Sequence, residues 1–83
     1  MRVTIEITAD DITCGLQRSC YDCPTAMAFA RSLPVFCPWL VDGRTAMGNG
    51  VVCELPPDAR AWILRFDEGR LVEPLPFEAL LEN

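Results

Sequence analysis

Arg2-Val3-Thr4-Ile5-Glu6-Ile7-Thr8, running straight into Ala9-Asp10-Asp11-Ile12, is the stretch that decides the fold. Residues 2–8 alternate, with Val3, Ile5 and Ile7 on one face and Arg2, Thr4 and Glu6 on the other, which predicts a strand with one buried side. Thr8 followed by acids predicts a helix start. The threonine oxygen and the carboxylates answer exposed amides and the positive end of the helix dipole. Gly15 ends or turns that helix. A strand with a single apolar face needs a second layer over it. The expected architecture is α+β: one small domain, residues 1–83, with an antiparallel or mixed sheet of about four strands and two to three helices on one face.

Downstream, Pro24 suits a first helical position, where its missing N–H costs nothing, and predicts a helix from there to Leu33, stopped by Pro34. Val35 to Val41 is apolar, and Pro38 within it predicts an edge or bulged strand. Asp42-Gly43 predicts a hairpin turn, with Thr45-Ala46-Met47 pairing back. Gly48-Asn49-Gly50 marks a second turn, and Val51 to Leu55 another strand. Pro56-Pro57-Asp58 opens a helix to about Asp67, with Trp62, Ile63 and Phe66 along one stripe, and Gly69 stops it. Leu71 to Phe77 contains Pro74 and Pro76, which predicts an extended edge segment. Glu78-Ala79-Leu80-Leu81 is expected as a last helical turn or a frayed end.

Composition removes several function classes. The chain has 83 residues, five of them cysteine, no histidine and no lysine, and a net charge of −5. There is no lysine for a Schiff base or a phosphate-binding loop and no histidine for general-base work at neutral pH, so an enzyme is not expected. Residues 1–53 carry five acids against four arginines, residues 54–83 seven against three. That balance argues against direct nucleic-acid binding, whose affinity comes mainly from Lys and Arg. No apolar run reaches the roughly 18–20 residues of a membrane span, and the alternating N-terminus is unlike a signal peptide. A cytoplasmic protein with reduced thiols and no cofactor is expected.

Cys20-Tyr21-Asp22-Cys23-Pro24 is the one local arrangement whose residue type and spacing suggest chemistry. Read as a zinc knuckle, it supplies two ligands and Cys37 and Cys53 could supply the other two; but those are far apart in separate apolar strands rather than a second short-spaced pair. Read as a redox site, Cys23 gains from the helix dipole, but Asp22 beside it opposes a thiolate. Packing, with Cys23 or its neighbour capping the helix, is the favoured reading, and packing is also expected of Cys14, Cys37 and Cys53. Asp10-Asp11 reads as a helix start rather than a metal site. Gly48-Asn49-Gly50 is too short to cradle a phosphate. Trp39 and Trp62 are expected in the core.

Ile7-Thr8-Ala9-Asp10-Asp11-Ile12-Thr13-Cys14-Gly15, followed by Cys20 to Ala26, has the pattern T-x-x-D-I-x-x-G … C-x-x-C-P. Together with Ile63 to Pro74, it resembles a class of short, uncharacterised proteins from phages and GC-rich bacteria. The resemblance implies a phage or mobile-element setting, in which small acidic proteins include anti-CRISPR-type inhibitors. It transfers no catalytic residue. The resulting expectation is a non-enzymatic protein that binds and inhibits a host nucleic-acid-handling complex by presenting nucleic-acid-like charge to a basic surface. Glu54, Asp58, Asp67, Glu68 and Glu73, in the acidic half, are the expected contact residues. The alternative is a zinc- or thiol-dependent domain using Cys20 and Cys23.

Overall fold

Local signals set most of the elements in the structure, a computed structural model describing residues 1–82. The chain runs β1 (Arg2–Ile7), α1 (Ala9–Cys14), α2 (Pro24–Ser32), a 3-10 turn (Pro34–Phe36), β2 (Leu40–Val41), β3 (Thr45–Gly48), β4 (Val51–Glu54), α3 (Pro57–Asp67) and β5 (Leu75–Glu82). One five-stranded sheet has the order β1-β5-β4-β3-β2, with every neighbour antiparallel. No helix among the described residues is long and apolar enough to cross a membrane.

Thr8 caps α1 as its sequence predicts. The Thr8 hydroxyl accepts the Asp11 amide at 3.2 Å while the Asp11 carboxylate accepts the Thr8 amide at 2.9 Å, a reciprocal capping box. Gly15 ends α1 for a different reason than a left-handed cap. Its backbone is extended, but a Cβ there would lie 2.5 Å from Pro24 Cδ, so only glycine lets α1 close on the start of α2. At α2 the cap is Cys23, whose sulfur accepts the Ala26 amide at 3.4 Å, with Pro24 in the first turn. In the β2–β3 hairpin, Gly43 has φ +94°, which a side chain would strain. Asp42 fixes that turn by accepting the amides of Arg44 (2.9 Å) and Thr45 (2.7 Å).

Strand register assigns the buried face. Ile5 pairs with Phe77, and the row Val41, Ala46, Cys53, Leu81 runs across four strands by successive pairing, all of it buried. Ala28 and Phe29 of α2 and Ala59, Trp62, Ile63 and Phe66 of α3 complete this core, so the helices cover one face. Phe29 lies between Trp39 and Phe77, at centroid distances of 4.7 and 6.0 Å, and Trp62 stacks on Phe66. Each indole is buried with its N–H satisfied: Trp39 donates to the Leu33 carbonyl and Trp62 to the Glu73 carbonyl.

Three expectations are corrected. Residues 35–41 are not one strand: Pro34 opens a 3-10 turn, a cis Cys37–Pro38 peptide follows, and only Leu40–Val41 pairs. As a result Val35 is 78% exposed and Cys37 is exposed rather than packed. Cys14, at the last residue of α1, and Cys20, before α2, are exposed as well, against the expected packing. The largest difference is β5. The segment expected as an edge and a terminal helical turn is a strand between β1 and β4.

Pro76 is tolerated inside β5 because of the sheet's geometry. The Leu81 amide donates to the Met1 carbonyl, so by alternation the even-numbered amides of β5 point toward β4. Pairing with β4 involves only Leu81 and Glu82, so the missing amide of Pro76 removes no ladder bond.

Candidate functional site: the uncovered face of the sheet

The Cys-x-x-Cys segment lies at the exit of the loop between α1 and α2. The Leu16 amide donates to the Asp22 carbonyl at 2.9 Å and the Asp22 amide to Ser19 Oγ at 3.0 Å, which closes the loop on itself. Two further bonds tie it down. The Arg18 amide donates to Asp67 Oδ1 at 2.9 Å, with Arg18 in left-handed backbone (φ +58°), and the Val41 amide donates to the Cys20 carbonyl at 2.8 Å. Cys20 is exposed and Cys23 is buried. Burial pushes the Cys23 thiol up, and the charge of Asp67 adds to this, against the amides of Ala26 and Thr25. A helix N-cap here does not yield a stabilised thiolate. Among the described residues, no three His, Cys, Asp or Glu side chains gather as metal donors. Cys53 sits in the core on β4, and its thiol is likewise raised by burial.

The acids of the C-terminal half are dispersed. Asp58 lies in the first turn of α3 and Asp67 at its last residue, roughly 14 Å apart at 1.5 Å per residue. Asp67 is occupied by the Arg18 amide, and Glu68 pairs with Arg70 at 3.2 Å. Glu73 lies in the segment leading to β5, its carbonyl holding Trp62. Glu54 is separate from all of these. It is on β4, exposed, on the side of the sheet away from the helices.

That uncovered side carries a more coherent arrangement. Pairing in register places Leu40, Met47, Val52 and Glu82 in one row across β2, β3, β4 and β5. The adjacent row holds Thr45 and Glu54, then Leu80 and Arg2, since continuing the β4–β5 register sets Glu54 opposite Leu80. Glu78 with Thr4, and Pro76 with Glu6, complete the face. An antiparallel sheet covered on one side normally shows polar residues on the other. Here Met47, Val52 and Leu80 are 41, 37 and 55% exposed; Met47 and Val52 are paired directly, and Leu80 lies diagonal to Val52 in the adjacent row. Contiguous exposed apolar residues rimmed by polar ones mark interaction surfaces.

The rim is acidic. Glu6, Glu54, Glu78 and Glu82 face the same side as a single arginine, Arg2, which approaches Glu78 at 3.7 Å. Same-face neighbours on a strand are about 6.6 Å apart and adjacent strands about 4.8 Å, so Glu54 and Glu82 flank the apolar row closely. Of the expected contact residues only Glu54 belongs to this surface. Glu6, Glu78 and Glu82 were missed. The alternation Phe77-Glu78-Ala79-Leu80-Leu81-Glu82 was the signal that could have found the last two, since a period of two puts Glu78, Leu80 and Glu82 on one side. Compared with known proteins, the chain matches no family model, no curated protein and no solved structure.

Proposed function

We propose that this is a non-enzymatic, phage-type inhibitor that acts in the cytoplasm of a bacterial host by binding a nucleic-acid-handling complex, of the CRISPR-like defence kind, at the basic surface that holds its nucleic acid. The observation that carries this reading is the uncovered sheet face: an apolar row through Met47 and Val52 bordered by Glu54 and Glu82, with Glu6 and Glu78 further along. Nucleic-acid sites are lined with arginine and lysine, and carboxylates arrayed on a flat sheet complement them. The apolar row supplies the desolvated centre that a protein interface needs and a purely electrostatic contact lacks. A second copy of the same chain is a poor occupant, because its acidic rim would oppose this one. Phosphates are repelled for the same reason, so the partner is the protein and not its nucleic acid.

Of the expected contact residues the reading keeps Glu54 and sets aside Asp58, Asp67, Glu68 and Glu73 in favour of the sheet face. Asp67 and Glu68 already have partners within the protein, whereas Glu54 and Glu82 have no ion pair among the described residues. Paired variants separate the two surfaces. Glu54→Lys with Glu82→Lys should move stability by no more than about 0.5 kcal/mol per site, because both are exposed. Against a partner isolated from the bacterial host, the same change should cost about 1–3 kcal/mol, roughly tenfold in affinity or more. Asp67→Lys with Glu68→Lys should cost much less. The reverse ranking, in folded proteins, would return the contact to α3.

A further inference from the structure

We infer that Cys20 and Cys23 form a thiol–disulfide exchange site, in which exposed Cys20 takes up a low-molecular-weight disulfide such as oxidised glutathione and buried Cys23 resolves it. Both residues line one cleft of about 120 Å³ between the α1–α2 loop, β2 and α3, together with Arg18, Asp42 and Asp67. Cys20 is solvent-exposed, while Cys23 is 5% exposed and held by the Ala26 amide. The cleft therefore has one sulfur that a solute can reach and a second that it cannot reach first. The chain turns at residues 20–22, between the two cysteines, and a turn of that length is compatible with the Cα separation of up to about 7 Å that a disulfide bridges. The frame is fixed on both sides, by the Val41 amide on the Cys20 carbonyl and by Asp67 on the Arg18 amide. Exposed Cys37 differs: it lines a groove with Tyr21, Met27, Pro38 and Trp39 that holds no second cysteine.

The exchange balances without any group beyond the disulfide. The Cys20 thiol loses its proton to water and its sulfur attacks one sulfur of oxidised glutathione, whose S–S bond breaks. One glutathione thiolate leaves and is protonated, and the other half stays on Cys20 as a mixed disulfide. Cys23 then loses its proton to water and attacks the Cys20 sulfur, expelling the second glutathione as a thiolate that is protonated in turn. Two protein thiols are oxidised by two electrons, and one glutathione disulfide is reduced to two thiols. The cleft admits the reacting sulfur but not a tripeptide, so the glutathione remainder stays outside, and Arg18 in the lining offsets part of the charge of Asp42 and Asp67 there. This site lies on the helix-bearing side and is independent of the uncovered sheet face.

Peptide mapping by mass spectrometry after exposure of the native protein to oxidised glutathione tests the inference, with the remaining thiols alkylated. Wild type should yield a peptide joined Cys20 to Cys23, at oxidant levels about tenfold below those that modify Cys14 and Cys37. Cys23→Ser retains an oxygen for the α2 cap, so it should fold and should trap glutathione on Cys20. Cys20→Ser should leave Cys23 unmodified. Equal modification of Cys14, Cys20 and Cys37 with no internal bond, a bond from Cys20 to any other cysteine, or no adduct on Cys20 in folded Cys23→Ser would each overturn it.

Discussion

Asp11 does two jobs with one carboxylate. It is 2% exposed, closes the α1 capping box with Thr8, and accepts both Arg31 Nη1 at 2.6 Å and Arg31 Nη2 at 2.9 Å. Arg31 Nη2 also donates to the Glu6 carbonyl at 2.7 Å, so a single guanidinium joins α2, α1 and the end of β1. Burial alone would raise the Asp11 carboxyl, but hydrogen bonds from Arg31 and Thr8 and the Arg31 charge outweigh it and hold it below its ordinary value. A depressed folded value stabilises the native state fully above the unfolded value of about 3.9, and that contribution is lost as pH falls through the folded value. Chemical denaturation of Asp11→Asn should show a loss of about 1–3 kcal/mol at neutral pH, the ionic part discounted because Arg31 is half exposed. The variant should also lose less stability than wild type on acidification below about pH 4. An unchanged acid slope would show that the carboxylate carries no such linkage. Thr25 is the opposite case, since its hydroxyl is fully buried with no hydrogen-bond partner among the described residues. Thr25→Val keeps the shape and removes the desolvated oxygen, so thermal unfolding should show a gain of about 1 kcal/mol.

At the scale of elements, β5 organises the molecule. It pairs along the whole of β1, places Phe77, Ala79 and Leu81 in the core, and joins β1 to the β2–β4 meander through Leu81 and Glu82. Truncation after Pro74 should therefore abolish cooperative unfolding by circular dichroism, whereas loss of a frayed tail would leave the melting curve nearly unchanged. Where a signal is local, the sequence states the structure: the alternation of β1, the Thr8 cap, Pro24 at the start of α2, the Asp42-Gly43 turn and the stripe of α3 all appear where their residues predict. β5 is hard to read, despite the partial alternation of residues 77–82, for two physical reasons. Its prolines argue against a central strand, and Ala79-Leu80-Leu81 is made of good helix formers, whose intrinsic preference tertiary pairing overrides. The candidate surface is only partly legible for a related reason. The acidity of Glu54, Glu78 and Glu82 is plain in the chain, but their sharing a face with Met47 and Val52 depends on a register between distant segments.

The whole molecule is two-sided. Helices seal one face of the sheet over a continuous aromatic and aliphatic core, and the other face remains open with an apolar centre and an acidic border. Single surface residues of this kind are ordinary, but their alignment across β2, β3 and β4, next to carboxylates with one arginine among them, is what singles out a partner of opposite charge. Binding through such a face should weaken as salt rises, since exposed charges are screened over about 8–10 Å at physiological ionic strength. It should not vanish at high salt, because the contact through Met47, Val52 and Leu80 is apolar. Competition is the most direct measurement of the central claim. A host protein captured on the immobilised wild-type chain, and not on the folded Glu54→Lys/Glu82→Lys variant, is challenged with its own nucleic acid. The account predicts release of the captured protein in proportion to added nucleic acid. Stable retention, with nucleic acid bound at the same time in a three-component complex, would contradict it.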